Sequence, residues 1–162
     1  MRLIKHRGSW VIVLSFLIAF LLTELPIPPW AAIWRPSWVA LVLIYWCLAV
    51  PERVGIVVGW VAGLFLDTLG GDLLGQNALG LCVVAFIAGK FHQQIRVLPV
   101  WQQGIGVFGL ITLYQLSVLW INGTQDRPIP EWAYFSSALT STILWPWIFV
   151  ILRDVRRKYL VM

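Results

Sequence analysis

A chain of 162 residues that is 60% hydrophobic and only 12% charged is too apolar for an ordinary soluble domain. Its net charge of +5 would suggest nucleic acid in a soluble protein. Here the basic residues flank apolar runs, so the charge reads as a membrane topology signal and nucleic acid is not an expected partner.

The opening Met1-Arg2-Leu3-Ile4-Lys5-His6-Arg7 resembles the start of a signal peptide. The apolar run after it is long and is followed by no clear small-x-small cleavage site, which predicts an uncleaved first membrane helix over about 9–25. Pro26-Ile27-Pro28-Pro29 closes it. A second helix is predicted over about 36–50, opening with Arg35-Pro36 and ending at Pro51, because proline suits a first helical turn and not a helix interior. The third, about 54–69, carries Gly55, Gly59 and Gly63 at every fourth position. That spacing makes a groove along one side of a helix, through which a neighbouring backbone can approach closely.

One turn beyond Gly63 stands Asp67, still within the apolar run. A carboxylate there is expensive unless it faces protein or water. Gly70 and Gly71 break the helix, and Gly75 lies near the start of the next run. Asp67 is therefore aimed at a glycine-rich turn. Two roles are open to it: a functional carboxylate, or a structural one that ties neighbouring helices. The geometry favours bonds from backbone N–H groups near Gly71–Gly75, at the start of the fourth helix, whose positive end suits an anion. On that basis Asp67→Asn is expected to be mild and Asp67→Leu damaging.

The fourth helix is predicted over about 74–95, the fifth over about 100–121 and the sixth over about 131–152. Gln115 lies deep in the fifth. Ser136, Ser137, Thr140 and Ser141 share one face of the sixth, where they either pack against a neighbour or, with Gln115, line a polar pocket. Pro146 should kink that helix. The basic cluster Arg153, Arg156, Arg157 and Lys158 suits anionic lipid or a cytoplasmic partner. Tryptophans near predicted span ends (Trp10, Trp30, Trp34, Trp101, Trp120, Trp132, Trp145, Trp147) read as aromatic belts.

Six spans place both termini on one side. With those termini in the cytoplasm, Arg2, Lys5, Arg7, Arg53, Lys90, Arg96, Arg153, Arg156, Arg157 and Lys158 lie inside, and only Arg35 and Arg127 lie outside. The positive-inside bias favours this arrangement over five spans. Asp67 and Asp72 then belong near the outer face.

Enzyme chemistry finds little to work with. Asp67 and Asp72 straddle one turn without a GxGD motif, neither histidine lies near them, and Gly70-Gly71-Asp72-Leu73-Leu74-Gly75 lacks the Lys-Ser/Thr of a phosphate loop. Cys47 and Cys82 have no metal-site spacing. No catalyst, metal or cofactor is expected.

Three blocks carry a family resemblance: Arg35-Pro36-Ser37-Trp38-Val39 running to Tyr45-Trp46; Gly63-Leu64 with Asp67, Gly71 and Leu74-Gly75; and Leu144-Trp145-Pro146-Trp147. With Trp10-Val11-Ile12 and Trp101-Gln102-Gln103, the chain resembles the rod shape-determining MreD family of the proteobacterial type over nearly its whole length. Gly70 stands where relatives often have Ser. The resemblance implies an all-α, compact bundle of six transmembrane helices in a single membrane domain, similar to the substrate-binding subunits of energy-coupling-factor transporters. It implies a multi-pass, non-catalytic subunit of the bacterial inner membrane that binds MreC. Through MreC it would help connect MreB filaments to RodA and its partner transpeptidase, which build side-wall peptidoglycan. Arg35, Trp38 and the Gly55 to Gly75 series are then candidates for partner binding or structure. The alternative is a small-molecule or lipid-binding membrane subunit of a transporter.

Overall fold

The structure, a computed structural model, describes residues 8–32, 34–71, 73–124 and 131–159. Among these the chain is helical throughout: α1 (Ser9–Glu24), α2 (Pro29–Ala32), α3 (Trp38–Ala49), α4 (Ile56–Gly70), α5 (Gln76–Lys90), α6 (His92–Val97), α7 (Val100–Gly123) and α8 (Glu131–Lys158).

The helix at the centre is α3. Every residue from Val39 to Leu48 is buried, as expected of a helix that is apolar all round. At 12 residues it is about 18 Å long. Around it the packed neighbours run α1, α4, α5, α7, α8, with α4 and α5 the closest pair. The ring does not close: α1 and α8 both pack on α3 but not on each other along their lengths.

The outer surface is as apolar as the centre. Leu14, Leu21, Val57, Phe65, Leu116, Ile143 and Ile151 are all exposed, while Asp67, Gln76, Gln103, Gln115 and Ser141 are buried. This reverses the arrangement of a soluble protein and suits a hydrocarbon surround. Two helices, Val100–Gly123 and the Phe135–Lys158 part of α8, are long and apolar enough to cross a membrane; α1, α3, α4 and α5 are shorter apolar helices.

Several predicted boundaries are corrected. The helix predicted over 74–95 is two, broken at Phe91, where the His92 ring nitrogen takes the Gly89 carbonyl at 2.6 Å. The helix predicted from residue 36 starts at Trp38, because 35–37 is held out of helix by bonds to α8. The Ser37 N–H donates to Ser141 Oγ (3.0 Å) and Ser137 Oγ donates to the Arg35 carbonyl (2.7 Å). The turn-rich stretch after α1 contains the short α2. The last helix does not stop at 152 but continues through the basic cluster to Lys158, and it runs through Pro146 without interruption.

Trp145 is fully buried and so belongs to the core, not to an aromatic belt. Trp10, Trp30, Trp34, Trp101, Trp120 and Trp147 are exposed. The side chain of Trp132, the N-terminal basic residues, Asp72 and Arg127 lie outside the described residues.

Candidate functional site at the mouth of the bundle

Asp67 is 1% exposed, and both its oxygens are accepting. Oδ2 takes the Gly75 N–H at 2.8 Å. Oδ1 takes the Asn77 N–H and the Asn77 side-chain amide, each at 2.9 Å. The Ala78 N–H approaches Oδ2 at 3.5 Å. Three of these donors are the first backbone N–H groups of α5 or its cap, groups with no partner inside their own helix. The helix dipole adds a favourable term for an anion at that place. The carboxyl at the end of α4 thus pins the start of α5.

Two glycines make the turn possible. Gly71 caps α4 with φ 67°, its N–H bonded to the Asp67 carbonyl, and Gly75 precedes α5 with φ 101°. Both lie in the left-handed region, which costs glycine little. A Cβ at either would meet no neighbour, so the demand is conformational and not one of space.

Behind the turn, α4 and α5 touch backbone to backbone. A Cβ at Gly63 would fall within the Ala78 backbone and 2.8 Å from the Asn77 carbonyl carbon. One at Gly59 would lie 2.9 Å from the Leu81 carbonyl oxygen and 3.1 Å from Ala85 Cβ. Gly55 is not part of this face: it precedes α4 in extended conformation and a Cβ there meets nothing. The glycine groove is therefore occupied by α5 of the same chain. Gly59 and Gly63 thus let a neighbouring backbone approach, as their spacing predicts, and that backbone is α5.

From Asn77 the network continues to α7, where the Tyr114 hydroxyl donates to Asn77 Oδ1. Gly80 gives the Tyr114 ring its room, since a Cβ at Gly80 would lie 2.7 Å from Tyr114 Cδ2. Asn77, Tyr114 and Gly80 escaped the sequence reading. A polar residue at each of two facing positions in apolar runs was the available signal.

Asn77 and Tyr114 form part of one wall of a cavity of about 460 Å³. It opens at the end of the bundle where α1 and α4 finish and α3 and α5 begin. Thr23, Glu24, Arg35, Ser37, Trp38, Gln76, Gln115 and Ser137 contribute to its lining. Arg35 crosses its rim, donating from Nη1 to the Thr23 carbonyl and from Nη2 to the Leu25 carbonyl. It thereby satisfies carbonyls left open at the end of α1. Ser141 is buried behind the cavity, donating to the Ser137 carbonyl while it accepts from the Ser37 N–H. Thr140 bonds back to the Ser136 carbonyl of its own helix at 3.0 Å and does not line the cavity. The oxygens Gln76 Oε1 and Gln115 Oε1 are buried without a partner among the described residues. Arg153, Arg156, Arg157 and Lys158 lie at the opposite end, in the last turns of α8. Among the described residues no group of His, Cys, Asp and Glu is placed to hold a metal ion.

Chemically, the mouth offers fixed hydrogen-bonding groups in an apolar frame. No solved structure matches the chain. A curated relative from Haemophilus influenzae, named rod shape-determining protein MreD, is 34% identical over 151 residues, covering 93% of each chain. The family model described as rod shape-determining protein MreD matches residues 4–155. On both grounds the chain belongs to the MreD family of rod shape-determining membrane proteins.

Proposed function

We propose that the chain is a non-catalytic scaffold of the rod-shape machinery in the bacterial inner membrane. Its direct partner in this reading is MreC, and MreB, RodA and the partner transpeptidase belong to the same assembly. Family membership over nearly the whole chain supports the role in rod shape. The observation that carries the scaffold reading is the employment of Asp67: its oxygens are taken up by α5 donors, so the buried carboxyl holds two helices together instead of facing a substrate.

In this reading α1, α3, α4, α5, α7 and α8 cross the membrane, the basic ends lie in the cytoplasm and the cavity faces outward. A phosphatase reporter is expected to be silent when fused at residue 162 and active when placed in the 123–130 loop. An active C-terminal fusion would invert the arrangement.

MreC is proposed to engage the outer mouth together with the lipid-facing helices. With the glycine groove already filled from within, the rim of the cavity is the place to obstruct. Thr23→Trp, at a half-buried rim position, is expected to cut recovery of MreC with the purified chain at least about tenfold, which corresponds to roughly 1.4 kcal/mol. Replacing Arg156, Arg157 and Lys158 by Ala should leave recovery unchanged. The reverse pattern would place docking at the cytoplasmic end.

A second reading, a ligand-binding subunit of a transporter, has one observation in its favour. Buried acceptors normally have partners, and a bound polar molecule would supply them to Gln76 and Gln115. Retention of a stoichiometric small molecule by the purified chain, lost in Gln115→Leu, would favour that reading over the scaffold.

A further inference from the structure

Along the side of the bundle, the gap in the helical ring is a slot between α1 and α8, floored by α3, that runs from the basic end to Leu22 and Trp38 beside the mouth. Its volume is about 440 Å³. Trp10, Leu14 and Ile18 form one wall and Ile151, Val155 and Tyr159 the other, with Val42 below. Trp10 and Tyr159 meet edge to face across it, their ring centroids 4.9 Å apart. We propose that this slot binds one anionic phospholipid, an acyl chain lying along the slot and the phosphate held by the last turn of α8.

Size selects the occupant first. A membrane-spanning helix about 30 Å long and about 10 Å across fills on the order of 2,000 Å³, several times the slot. A single acyl chain is slender enough to enter. Length agrees: the α1 wall, from Trp10 to Leu22, extends about 18 Å. One leaflet of hydrocarbon is about 15 Å deep, half of a typical core. The slot is therefore long enough to take one acyl chain entering from its basic end.

Charge selects the headgroup. The Lys158 ammonium lies 5.8 Å from the centroid of the Tyr159 ring, the same ring that closes the slot. Arg156 and Arg157 share that last turn. Among the described residues none of these three cations is in an ion pair; Arg153 is the one that approaches Asp154, at 3.8 Å. An anionic headgroup at the slot's end would meet the cations of this last turn.

Native mass spectrometry of the full chain in detergent, with added dipalmitoyl phosphatidylglycerol or dipalmitoyl phosphatidylcholine, tests this. The wild-type chain is expected to retain one phosphatidylglycerol with about a fivefold or greater preference over phosphatidylcholine, of the order that one cation near a headgroup supplies. Arg156→Gln, Arg157→Gln and Lys158→Gln together should bring that preference near parity. Leu14→Trp with Ile151→Trp, both at exposed positions that spare the core, should lower retention of both lipids while helicity is unchanged. Equal retention of the two lipids by the wild-type chain would overturn the proposal. So would undiminished binding in the tryptophan variant. A Leu14→Cys variant that cross-links in cells to a partner's membrane helix, with no lipid retained on purification, would assign the slot to that helix instead.

Discussion

Gly63→Ala is expected to destabilise the bundle by about 1–3 kcal/mol, the usual cost of forcing a methyl group into a packed interior. This should occur even though Ala is the better helix former by roughly 1 kcal/mol. The reason lies in what the methyl would meet. At Gly63 it meets the main chain of Asn77 and Ala78, which cannot rotate away as a side chain can. Relief requires α5 to move off α4, and that movement pulls Gly75 and Asn77 away from Asp67, one turn along the same face. The two other glycines provide the scale. At Gly59 the overlap is smaller: the Leu81 carbonyl oxygen lies at 2.9 Å, Ala85 Cβ at 3.1 Å and the Leu81 carbonyl carbon at 3.3 Å, so α5 must still shift, by less, and the gain in propensity offsets part of the cost. At Gly55 there is open space and an extended backbone, so only the preference for Gly over Ala at a helix N-cap is lost, about 0.5–1 kcal/mol. Unfolding midpoints in detergent should fall modestly in Gly55→Ala and Gly59→Ala and far further in Gly63→Ala. A flat series would mean that α4 and α5 are not held at this distance. Cells relying on Gly63→Ala should also lose rod shape, because the mouth is built on the same contact.

How much of this was legible in the sequence depended on whether the signal was local. The Asp67 turn could be read because a carboxylate in an apolar run, glycines at fixed spacing and a double glycine all fall within one short stretch. Gly55 was misplaced because equal spacing continues past the point where the helix begins, and spacing does not mark that point. The last helix was cut short at 152 because hydropathy drops at Arg153, whereas the backbone stays helical into the polar zone. Its cations suit the negative end of the helix. The break at Phe91 carries neither proline nor glycine at the break itself, so no punctuation announced it. Trp145 has the sequence position of a belt residue, but α8 turns that face towards α3. Asn77, Gly80 and Tyr114 depend on which helices lie side by side, and that is set by pairwise packing that a single sequence does not display. The same holds for the slot between α1 and α8, which exists because two helices that both pack on α3 do not pack on each other.

The mouth and the α4–α5 contact form one mechanical unit. Gly63 sets the separation of the two backbones, and at that separation Asp67 reaches three N–H groups at bonding distance. Asn77, held from both sides by Asp67 and Tyr114, passes the constraint to α7. Arg35 and the 35–37 segment perform the corresponding task for α1, α3 and α8. A partner that docks at this end would meet a rim fixed from several helices.

Asp67→Asn is expected to be damaging, contrary to the mild effect anticipated from shape alone, because every group bonded to Asp67 is a donor. A carboxamide keeps one accepting oxygen and presents its own NH₂ where the second oxygen stood. If that NH₂ replaces Oδ2 it faces the Gly75 N–H; if it replaces Oδ1 it faces both the Asn77 N–H and the Asn77 amide. The first arrangement is the less costly: it leaves the Gly75 N–H unpaired, at about 1–3 kcal/mol, and removes the longer contact from the Ala78 N–H. Asp67→Leu removes all the acceptors and strands four donors, so it should cost more than Asn and prevent assembly with MreC. A compensating change separates this account from one that needs a charge or a proton at residue 67. In Asp67→Asn combined with Asn77→Asp, the new carboxylate at 77 can accept from the amide at 67 and still accept from Tyr114. The double variant should therefore recover part of the stability and partner recovery lost in Asp67→Asn, with a favourable coupling of about 1 kcal/mol in the double-mutant cycle. The measurements are the unfolding midpoint, MreC copurification and cell morphology for the two single variants and the double. If Asp67→Asn keeps wild-type stability and MreC binding yet abolishes rod shape, and Asn77→Asp rescues nothing, then Asp67 acts through its charge and the structural clamp is not its role.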